Sequence, residues 1–330
     1  MFNKKSILVT GGTGSFGRKF TKLLLSKYDP ARLIIFSRDE MKQWEMAKDY
    51  EQDDRIRFFI GDVRDVNRLR RAFDGVDYVV HAAATKIVPT AEYNPFECVK
   101  TNIDGARNVI DAAIDVNVEA VVALSTDKAS SPVNLYGATK LVSDKLFISG
   151  NAYAGKRRTK LSVVRYGNVM GSRGSVLPYF YGLRNAGELP ITDADMTRFM
   201  LPLEEAVKLV WLAFEDSVGG EIYIKKSPSM KITDIATAIN PDAVLKFIGM
   251  RPGEKLHEQM IGLEDSPFTY DFGDYYKILP NLHGWNEDPN RIKNGIKVSK
   301  DFVYASNTNQ DWMSVSNLRN WIQNNLGNVS

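Results

Sequence analysis

Thr10-Gly-Gly-Thr-Gly-Ser-Phe-Gly17 is the most informative segment of this 330-residue chain. It follows a short apolar run, Ile7–Val9, and opens a stretch of helical periodicity, Phe16–Tyr28. The three glycines are spaced G-x-x-G-x-x-G, and in this strand–turn–helix context backbone N–H groups can approach a pyrophosphate at the helix N-terminus. The alternative is a tight turn that holds no ligand. We favour dinucleotide binding, with contacts from Gly11, Thr13, Gly14, Ser15, Phe16 and Gly17.

Strand-like and helix-like patterns alternate over the first half of the chain. Short apolar runs rich in β-formers are separated by amphipathic stretches of helical period. Continuous apolar strands that alternate with helices predict a parallel sheet covered on both faces, and six such strands suit a doubly wound sheet. The predicted strands are Ile7–Thr10, Leu33–Phe36, Phe58–Ile60, Tyr78–Ala82, Ala120–Leu124 and Leu161–Arg165, and the predicted helices include Phe16–Tyr28, Val66–Phe73, Asn102–Val116 and Tyr136–Ala152.

The pattern changes after Tyr166, where residues 167–193 become rich in Gly, Pro, Ser and Asn. Weaker helix and strand signals follow, which predict a smaller C-terminal α/β lobe. We expect a Rossmann-like dinucleotide-binding domain over 1–167, together with 203–224, and a substrate lobe over 168–202 and 225–330. The later predicted elements are a helix at Leu203–Glu215, a strand at Gly220–Ile224, a helix at Asp234–Ile239 capped by Thr233, a strand at Val244–Gly249 and a closing helix within Gln310–Gly327.

Composition excludes several classes of protein. Hydrophobic residues make up 44% of the chain and charged residues 25%, and a net charge of +3 with scattered signs gives no basic stripe for nucleic acid. A single cysteine, Cys98, excludes an intramolecular disulfide, and three histidines far apart match no metal-ligand spacing. No run approaches the roughly 20 apolar residues of a membrane span. We therefore expect a cytoplasmic protein without a metal site, a nucleic-acid partner or a membrane partner.

The end of the second predicted strand bears on which dinucleotide binds. It reads Phe36-Ser-Arg-Asp-Glu40, at the place where the adenosine ribose would lie. An arginine there suits a 2′-phosphate, whereas a lone acid suits a free 2′-hydroxyl. NADP is therefore favoured by Ser37, Arg38 and Lys42, while Asp39 leaves NAD as the alternative. If no ligand binds here, the two cations Arg38 and Lys42 would simply be solvated at the start of a helix. Later strand ends add expected cofactor contacts at Asp62, Val63, Ala82, Ala83 and Ala84.

Tyr136-Gly-Ala-Thr-Lys140 opens the long predicted helix and places a tyrosine and a lysine on one helix face. A lysine ammonium beside a phenol lowers the phenol pKa, which makes the tyrosine a usable base for a hydroxyl proton while hydride leaves the same carbon. The alternative is a packed Tyr136 and an exposed Lys140. Downstream of the glycine-rich turn, and after Ser125 and Thr126 at a strand end, the motif resembles the extended short-chain dehydrogenase/reductase superfamily.

Asp127 and Lys128 follow directly at the same strand end, the edge of the sheet where substrate should bind. An aspartic acid there could protonate a departing hydroxyl. A desolvated lysine with a lowered pKa could abstract a proton α to a carbonyl. A solvated ion pair is the alternative, and we favour it for the dipeptide in isolation but not beside Tyr136 and Lys140.

Motifs in a fixed order along nearly the whole chain narrow the resemblance. Thr126-Asp-Lys128, Gly171–Val176 and Arg251–Lys255 are the most specific of them. With these segments the chain resembles the inverting UDP-N-acetylglucosamine 4,6-dehydratase family, which starts pseudaminic acid synthesis. The resemblance also rests on Phe59-Ile-Gly-Asp-Val-Arg-Asp65, Ala91-Glu-Tyr-Asn-Pro95, Asn134–Lys140, Val164-Arg-Tyr-Gly-Asn168 and Pro190-Ile-Thr-Asp193.

The resemblance implies a three-stage reaction with NADP as the cofactor. Tyr136, supported by Lys140 and Thr126, takes the C4 hydroxyl proton while hydride leaves C4. Lys128 then removes the acidified C5 proton, and Asp127 protonates the C6 hydroxyl, which leaves as water. Hydride returns to C6, and C5 receives a proton on the face opposite the one that it lost. The implied product is a UDP-linked 4-keto-6-deoxy sugar with inverted C5.

The resemblance also implies contacts with a UDP-sugar. Arginine forks bind phosphate oxygens in pairs, which suits a pyrophosphate. We also expect by analogy a homo-oligomer formed through the helices that begin near Asn102 and Tyr136. The implied substrate contacts are Lys86, Asn168, Arg173, Gly174, Ser175, Val176, Thr192 and Arg251, and further implied cofactor contacts are Lys86, Tyr136, Lys140, Tyr166, Asn168 and Val169.

Two positions depart from the family pattern, and they bear on the pocket for the sugar's N-acetyl group. Ile87 stands where the family has histidine, and Met200 stands where it has tryptophan. Three alternatives therefore stay open: a retaining 4,6-dehydratase, a 4-epimerase of a UDP-sugar, and a sensor that holds NADP without turnover.

Overall fold

Strands and helices alternate through the first half of the chain, as the apolar periodicity predicts. The computed structural model describes residues 1–172 and 174–326. The elements of the first half are β1 (Ser6–Thr10), α1 (Ser15–Lys27), β2 (Arg32–Ser37), α2 (Glu40–Lys48), β3 (Ile56–Ile60), α3 (Val66–Phe73), β4 (Tyr78–His81), α4 (Val88–Tyr93), α5 (Pro95–Val99), a π-helical turn (Lys100–Asp104), α6 (Gly105–Asp115), β5 (Ala120–Thr126), a 3₁₀ turn (Asp127–Ala129), α7 (Leu135–Tyr153) and β6 (Lys160–Tyr166).

The second half has shorter strands and fewer periodic signals. Helix α10 begins at Ile232 with Lys231 in the cap position, so the predicted cap at Thr233 is wrong. In chain order the elements are β7 (Asn168–Val169), α8 (Val176–Gly182), β8 (Glu188–Ile191), β9 (Thr197–Leu201), α9 (Leu203–Asp216), β10 (Ile222–Lys225), β11 (Ser229–Lys231), α10 (Ile232–Ile239), β12 (Val244–Phe247), β13 (Gln259–Ile261), a 3₁₀ turn (Ser266–Phe268), β14 (Thr269–Asp271), β15 (Tyr275–Ile278), a 3₁₀ turn (Trp285–Glu287), α11 (Pro289–Ile292), β16 (Ile296–Lys297), β17 (Tyr304–Ala305) and α12 (Val315–Asn325).

The main sheet has the doubly wound order that the sequence predicts. From one edge its strands run β3-β2-β1-β4-β5-β6-β10, and all of these neighbours pair in parallel. Successive residues of a strand point to opposite faces, so Leu8 packs into one hydrophobic cluster while Ile7 and Val9 pack into the other. Helices therefore cover both faces, and the carboxyl ends of the parallel strands meet at one edge.

Three antiparallel strands continue this sheet beyond β10, in the order β15-β14-β16. From the sequence we expect this stretch in the C-terminal lobe. In the structure its backbone hydrogen bonds join it to the main sheet. The pairing depends on contacts between residues far apart in the chain, such as Ile222 with Ile278, so local periodicity carries no sign of it.

A separate hydrophobic cluster forms the core of the C-terminal lobe. It is built from α8, α10 and α12 with the small sheets β11-β9-β7 and β12-β8, and includes Phe180, Met200 and Ile235. In the described part of the chain no helix is long and apolar enough to cross a bilayer.

Candidate active site

One large cavity, of about 1200 Å³, lies between the carboxyl ends of the parallel strands and the C-terminal lobe. The ends of β1, β2, β4, β5 and β6 line one side of it, and residues from the lobe line the other. Open parallel sheets bind ligands in such a crevice because the loops after the strands gather there. The expected site residues from distant segments are therefore brought into one cavity.

The glycine-rich turn leaves room for a dinucleotide at one end of the cavity. Gly11 has a φ of +66°, and a Cβ on it would lie 2.9 Å from the backbone of Ala83. Helix α1 begins with Gly14 at its cap position and with no side-chain cap there. Gly17 instead packs against the backbone of Gly12, where a Cβ would collide, and it does not line the cavity. These residues fit a pyrophosphate at the start of α1.

Asp39 and Arg38 have different roles where the adenosine ribose is expected. The Asp39 carboxylate caps helix α2 by accepting from the Lys42 backbone N–H at 3.0 Å, and it lies 2.6 Å from Lys42 Nζ. The hydrogen bonds from Lys42 lower the pKa of Asp39. The Arg38 side chain is 57% exposed and lies on the cavity, 3.5 Å from Asp62. Both side chains line the cavity, but the acid accepts a hydrogen bond from its own helix and is less exposed than the guanidinium.

The end of β5 and the 3₁₀ turn after it place the predicted acid and base together. Thr126 Oγ1 donates to Asp127 Oδ1 at 2.8 Å, and Lys128 Nζ donates to the same oxygen at 3.1 Å. Asp127 is 1% exposed, and its Oδ2 atom has no hydrogen-bond partner among the described residues. The pair is therefore not the solvated ion pair considered from the sequence.

Burial and neighbouring charge determine the proton affinities in this cluster. Burial raises the pKa of Asp127, and the nearby Glu258 carboxylate raises it further. Burial acts to lower the pKa of Lys128, but Asp127 and Glu258 outweigh it, so this pKa is raised. The lowered pKa expected for Lys128 is thus wrong for the resting site, because two carboxylates face its ammonium.

Tyr136 is buried beside this pair. Burial raises its pKa to about 12, while Lys128 and a hydrogen bond with Thr126 act to lower it. From the sequence we expect Lys140 to lower this pKa. In the structure Lys128 is the cation that lowers it.

Beneath Tyr136 lies a buried ionic network that the sequence analysis missed. Lys140 is 3% exposed, which excludes the exposed lysine of the alternative interpretation, and burial lowers its pKa. Asp144 accepts from Ser125 Oγ at 2.8 Å and pairs with Arg165 at 3.3 Å. The spacing of Tyr136, Lys140 and Asp144 at four-residue steps along α7 is the signal that could have revealed it.

Glu258 is a further cavity residue that the sequence analysis missed. Its Oε1 atom lies 2.9 Å from Lys128 Nζ and 3.7 Å from Arg198 Nε, and the side chain is 2% exposed. It follows the specific motif Arg251–Lys255 by three residues, and this proximity is the signal that could have pointed to it.

The substrate end of the cavity is lined by Asn168 and by residues of the lobe. Arg251 donates from Nε to Glu254 Oε1 at 2.9 Å and is 65% exposed. Arg173 lies outside the described residues. The other expected contacts line the cavity, namely Lys86, Asn168, Gly174, Ser175, Val176, Thr192 and Arg251, as do Tyr166 and Val169 on the cofactor side.

The two departures from the family pattern lie in different surroundings. Ile87 is 56% exposed and lines the cavity, so it can contact a ligand. Met200 is buried in the core of the lobe and does not line the cavity. The change at residue 200 therefore bears on packing rather than on direct contact with substrate.

Comparison with known proteins gives matches that cover most or all of the chain. Residues 7–280 match the family described as polysaccharide biosynthesis protein. A Campylobacter jejuni protein named UDP-N-acetylglucosamine 4,6-dehydratase (inverting) is 54% identical over 99% of this chain and 100% of its own. A Rickettsia canadensis protein named UDP-glucose 4-epimerase is 44% identical over 84% of each chain.

Solved structures share the fold, and the sequence matches establish the family. Pen from Bacillus thuringiensis superposes with a TM-score of 0.89 at 36% identity, over 99% of both chains. DesIV, a dTDP-glucose 4,6-dehydratase from Streptomyces venezuelae solved with NAD, gives a TM-score of 0.68 at 25% identity over 76% of this chain and 86% of its own. The chain therefore belongs to the polysaccharide biosynthesis protein family, on the short-chain dehydrogenase/reductase fold that its sheet order and glycine-rich turn define.

Proposed function

We propose that this chain is a UDP-N-acetylglucosamine 4,6-dehydratase that inverts C5. The observation that carries the proposal is that Tyr136, Asp127 and Lys128 lie together in the same cavity as the glycine-rich turn. The 54% identity to the Campylobacter jejuni dehydratase over the whole chain supports the substrate and the stereochemistry. The product is a UDP-linked 4-keto-6-deoxy amino sugar, an intermediate for polysaccharide synthesis.

Tyr136 serves as the base for the first stage. When bound, the nicotinamide supplies the acceptor of the C4 hydride and the donor of the hydride to C6. The phenolate oxygen of Tyr136 takes the C4 hydroxyl proton, and Lys128 and Thr126 stabilise that phenolate. Buried Lys140 and Asp144 follow Tyr136 at successive turns of the same helix.

Lys128 and Asp127 serve the elimination. A 4-keto group makes the neighbouring C5–H acidic, so an amine can remove that proton. Asp127 has a raised pKa and keeps its proton at a higher pH than an ordinary carboxyl group. It can therefore give that proton to the C6 hydroxyl, and the C6–O bond breaks with the loss of water.

A product experiment tests the proposed reaction. Purified protein is incubated with UDP-N-acetylglucosamine in heavy water, and the product is examined by mass spectrometry and NMR. We expect loss of one water, a 4-keto group, deuterium at C5 and inverted configuration at C5. Retained C5 configuration would indicate a retaining dehydratase. A product with unchanged elemental composition would indicate a 4-epimerase. Bound dinucleotide without turnover would indicate a sensor.

We propose NADP as the cofactor, because Arg38 presents a guanidinium to the cavity while Asp39, which also lines it, is engaged in capping α2. In Arg38→Ala the affinity for NADP should fall roughly 10–100-fold while the affinity for NAD stays the same, since a hydrogen bond to a charged group contributes about 1.5–3 kcal/mol. Calorimetric titration of both cofactors measures this. Arg107→Ala, which alters a similarly exposed arginine on α6, is the control. Equal affinities of the wild-type protein for both cofactors would contradict the choice of NADP.

We also propose that the chain forms a homo-oligomer through α7, one of the two helices expected from the sequence, and through α4 and α5, which pack against it and were not expected. Tyr93, Phe96 and Tyr153 on these helices are 88%, 79% and 80% exposed. Tyr93 and Phe96 are three residues apart where α4 meets α5, and exposed aromatic side chains this close together favour contact with another copy of the chain. Light scattering of the purified protein gives the subunit count.

A further inference from the structure

Asp127, Lys128 and Glu258 form a cluster in which two carboxylates share one ammonium. Lys128 Nζ lies 3.1 Å from Asp127 Oδ1 and 2.9 Å from Glu258 Oε1. Both carboxylates are at most 2% exposed, whereas the lysine side chain is 25% exposed. Asp127 Oδ2 and Glu258 Oε2 have no hydrogen-bond partner within the described ranges. Buried charges are costly unless they are paired, so the cluster must distribute its protons among three groups.

The backbone holds Glu258 in this position from two sides. Its N–H donates to Ser306 Oγ at 2.9 Å, and the Ser306 N–H donates to the Glu258 carbonyl at 2.8 Å. The preceding residue, His257, bridges to Thr197 of β9. The carboxylate is therefore directed at Lys128 by strands of the C-terminal part of the chain rather than by its own flexibility.

The charged groups that face Glu258 set its pKa in the resting site. Lys128 and Asp127 face it from the 3₁₀ turn, Arg198 faces it from β9, and Lys255 lies in its own segment. Burial acts to raise the pKa of Glu258, but these three cations lower it overall. Glu258 in turn raises the pKa of Asp127. These shifts favour an ionised Glu258 and a charged Lys128, and they let Asp127 hold a proton at a higher pH than an ordinary carboxyl group does.

This resting arrangement is not yet ready for elimination. Asp127 can act as an acid, but an ammonium cannot accept a proton, so Lys128 must first become neutral. The proton must leave Lys128 without entering Asp127, because Asp127 needs its own proton for the leaving hydroxyl. Glu258 Oε1, at 2.9 Å, is the other carboxylate in contact with Lys128 Nζ.

We propose that Glu258 is a positioning residue for dehydration. It takes the proton of Lys128, so that Lys128 can accept the C5 proton. Asp127 meanwhile keeps the proton for the C6 hydroxyl. One N–H bond of Lys128 breaks and an O–H bond forms on Glu258. The C5–H bond then breaks as an N–H bond reforms, and the Asp127 O–H bond breaks as water leaves. This inference rests on the proposed dehydratase function.

The protons balance over a full turnover. The proton that Lys128 takes from C5 returns to Asp127, and the proton on Glu258 returns to Lys128. The proton that Tyr136 takes from the C4 hydroxyl balances the one delivered to C5. Only water leaves the site, and no reductant or oxidant beyond the cofactor is needed.

Glu258→Gln tests the proposal, because it keeps the shape of the side chain and removes its ability to accept a proton. We expect C4 oxidation to continue, seen as a build-up of the absorbance of reduced nicotinamide. Dehydration should fall at least about 100-fold, within the about 10²–10⁴-fold that a positioned proton-transfer group contributes. In this variant the decay of reduced nicotinamide, which follows dehydration separately from C4 oxidation, should speed up with pH through the alkaline range, since Lys128 must then lose its proton to solvent. A wild-type kcat and pH profile in Glu258→Gln would overturn the proposal.

Two further variants keep the result interpretable. Glu264→Gln removes an exposed carboxylate six residues away and should match the wild type in kcat and pH profile. Glu258→Asp keeps the charge but shortens the side chain, so kcat should fall with little change in KM and the wild-type pH profile should persist. If Glu258→Gln does not fold, an unchanged kcat in Glu258→Asp would itself contradict the proposal. Failure of the wild-type protein to dehydrate UDP-N-acetylglucosamine would instead contradict the proposed function.

Discussion

Lys128→Ala is expected to retain its dinucleotide and to lose dehydration by about 10²–10⁴-fold, the usual contribution of a general base. Lys128 is the ammonium that lies between Asp127 and Glu258, and the proposed base for C5. Because Lys128 also acts to lower the pKa of Tyr136, C4 oxidation in the variant should need a higher pH. Rapid mixing with substrate separates the two steps by following reduced nicotinamide and product in the same experiment.

Two controls accompany the Lys128 variant. Lys208→Ala removes an exposed lysine on α9 that pairs with Glu205, and its turnover should match the wild type. Lys128→Met keeps the length of the side chain without the charge, and it should lose dehydration as severely as the alanine variant. Unchanged turnover in either Lys128 variant would refute the role assigned to the amine.

Tyr136→Phe should stop the reaction at C4 oxidation, one step earlier than Lys128→Ala does. The tyrosine is 9% exposed, so phenylalanine preserves its packing and removes only the hydroxyl that accepts the C4 proton. Oxidation of C4 should fall by about 10²–10⁴-fold, and neither reduced nicotinamide nor dehydrated product should accumulate. Substrate binding, measured by calorimetry, should change little.

The raised pKa of Tyr136 also predicts the pH dependence of this step. The tyrosine must lose its proton to act as a base, and burial raises its pKa to about 12, so phenolate is scarce at neutral pH. The rate of C4 oxidation in the wild-type protein should therefore rise with pH from the neutral into the alkaline range. Tyr153→Phe, at the exposed end of the same helix, should not alter this profile. A rate of C4 oxidation in Tyr136→Phe equal to that of the wild type would exclude Tyr136 as the base.

Much of the candidate site was predictable because it lies at strand ends and on one helix. A strand end can be read from an apolar run that stops, as at Thr10 and Thr126, and parallel strands bring their carboxyl ends to one edge. The Tyr136–Lys140 spacing is likewise a property of a single helix. Every expected contact in the described residues lines the cavity except Gly17, which serves the packing of α1 on the turn instead.

The protonation states at the site were not predictable in this way. Burial alone would lower the pKa of Lys128. In the structure Glu258, about 130 residues further along the chain, contacts its ammonium, and the pKa of Lys128 is raised instead. Arg198 of β9 enters the site in the same manner, from a distant part of the chain. Electrostatic interactions depend on distance in space, and a pair of carboxylates around one ammonium leaves no local pattern in the sequence.

The glycine spacing, the alternating apolar runs and the Tyr136–Lys140 motif are local features. The amino-acid order alone was therefore enough to predict the doubly wound sheet and to bring the candidate dinucleotide and acid–base residues to one crevice. Folding alone joined β14–β16 to the main sheet, moved Met200 away from the cavity and placed Glu258 against Lys128. Periodicity records which face of an element is buried, whereas these three outcomes depend on which distant segments come into contact.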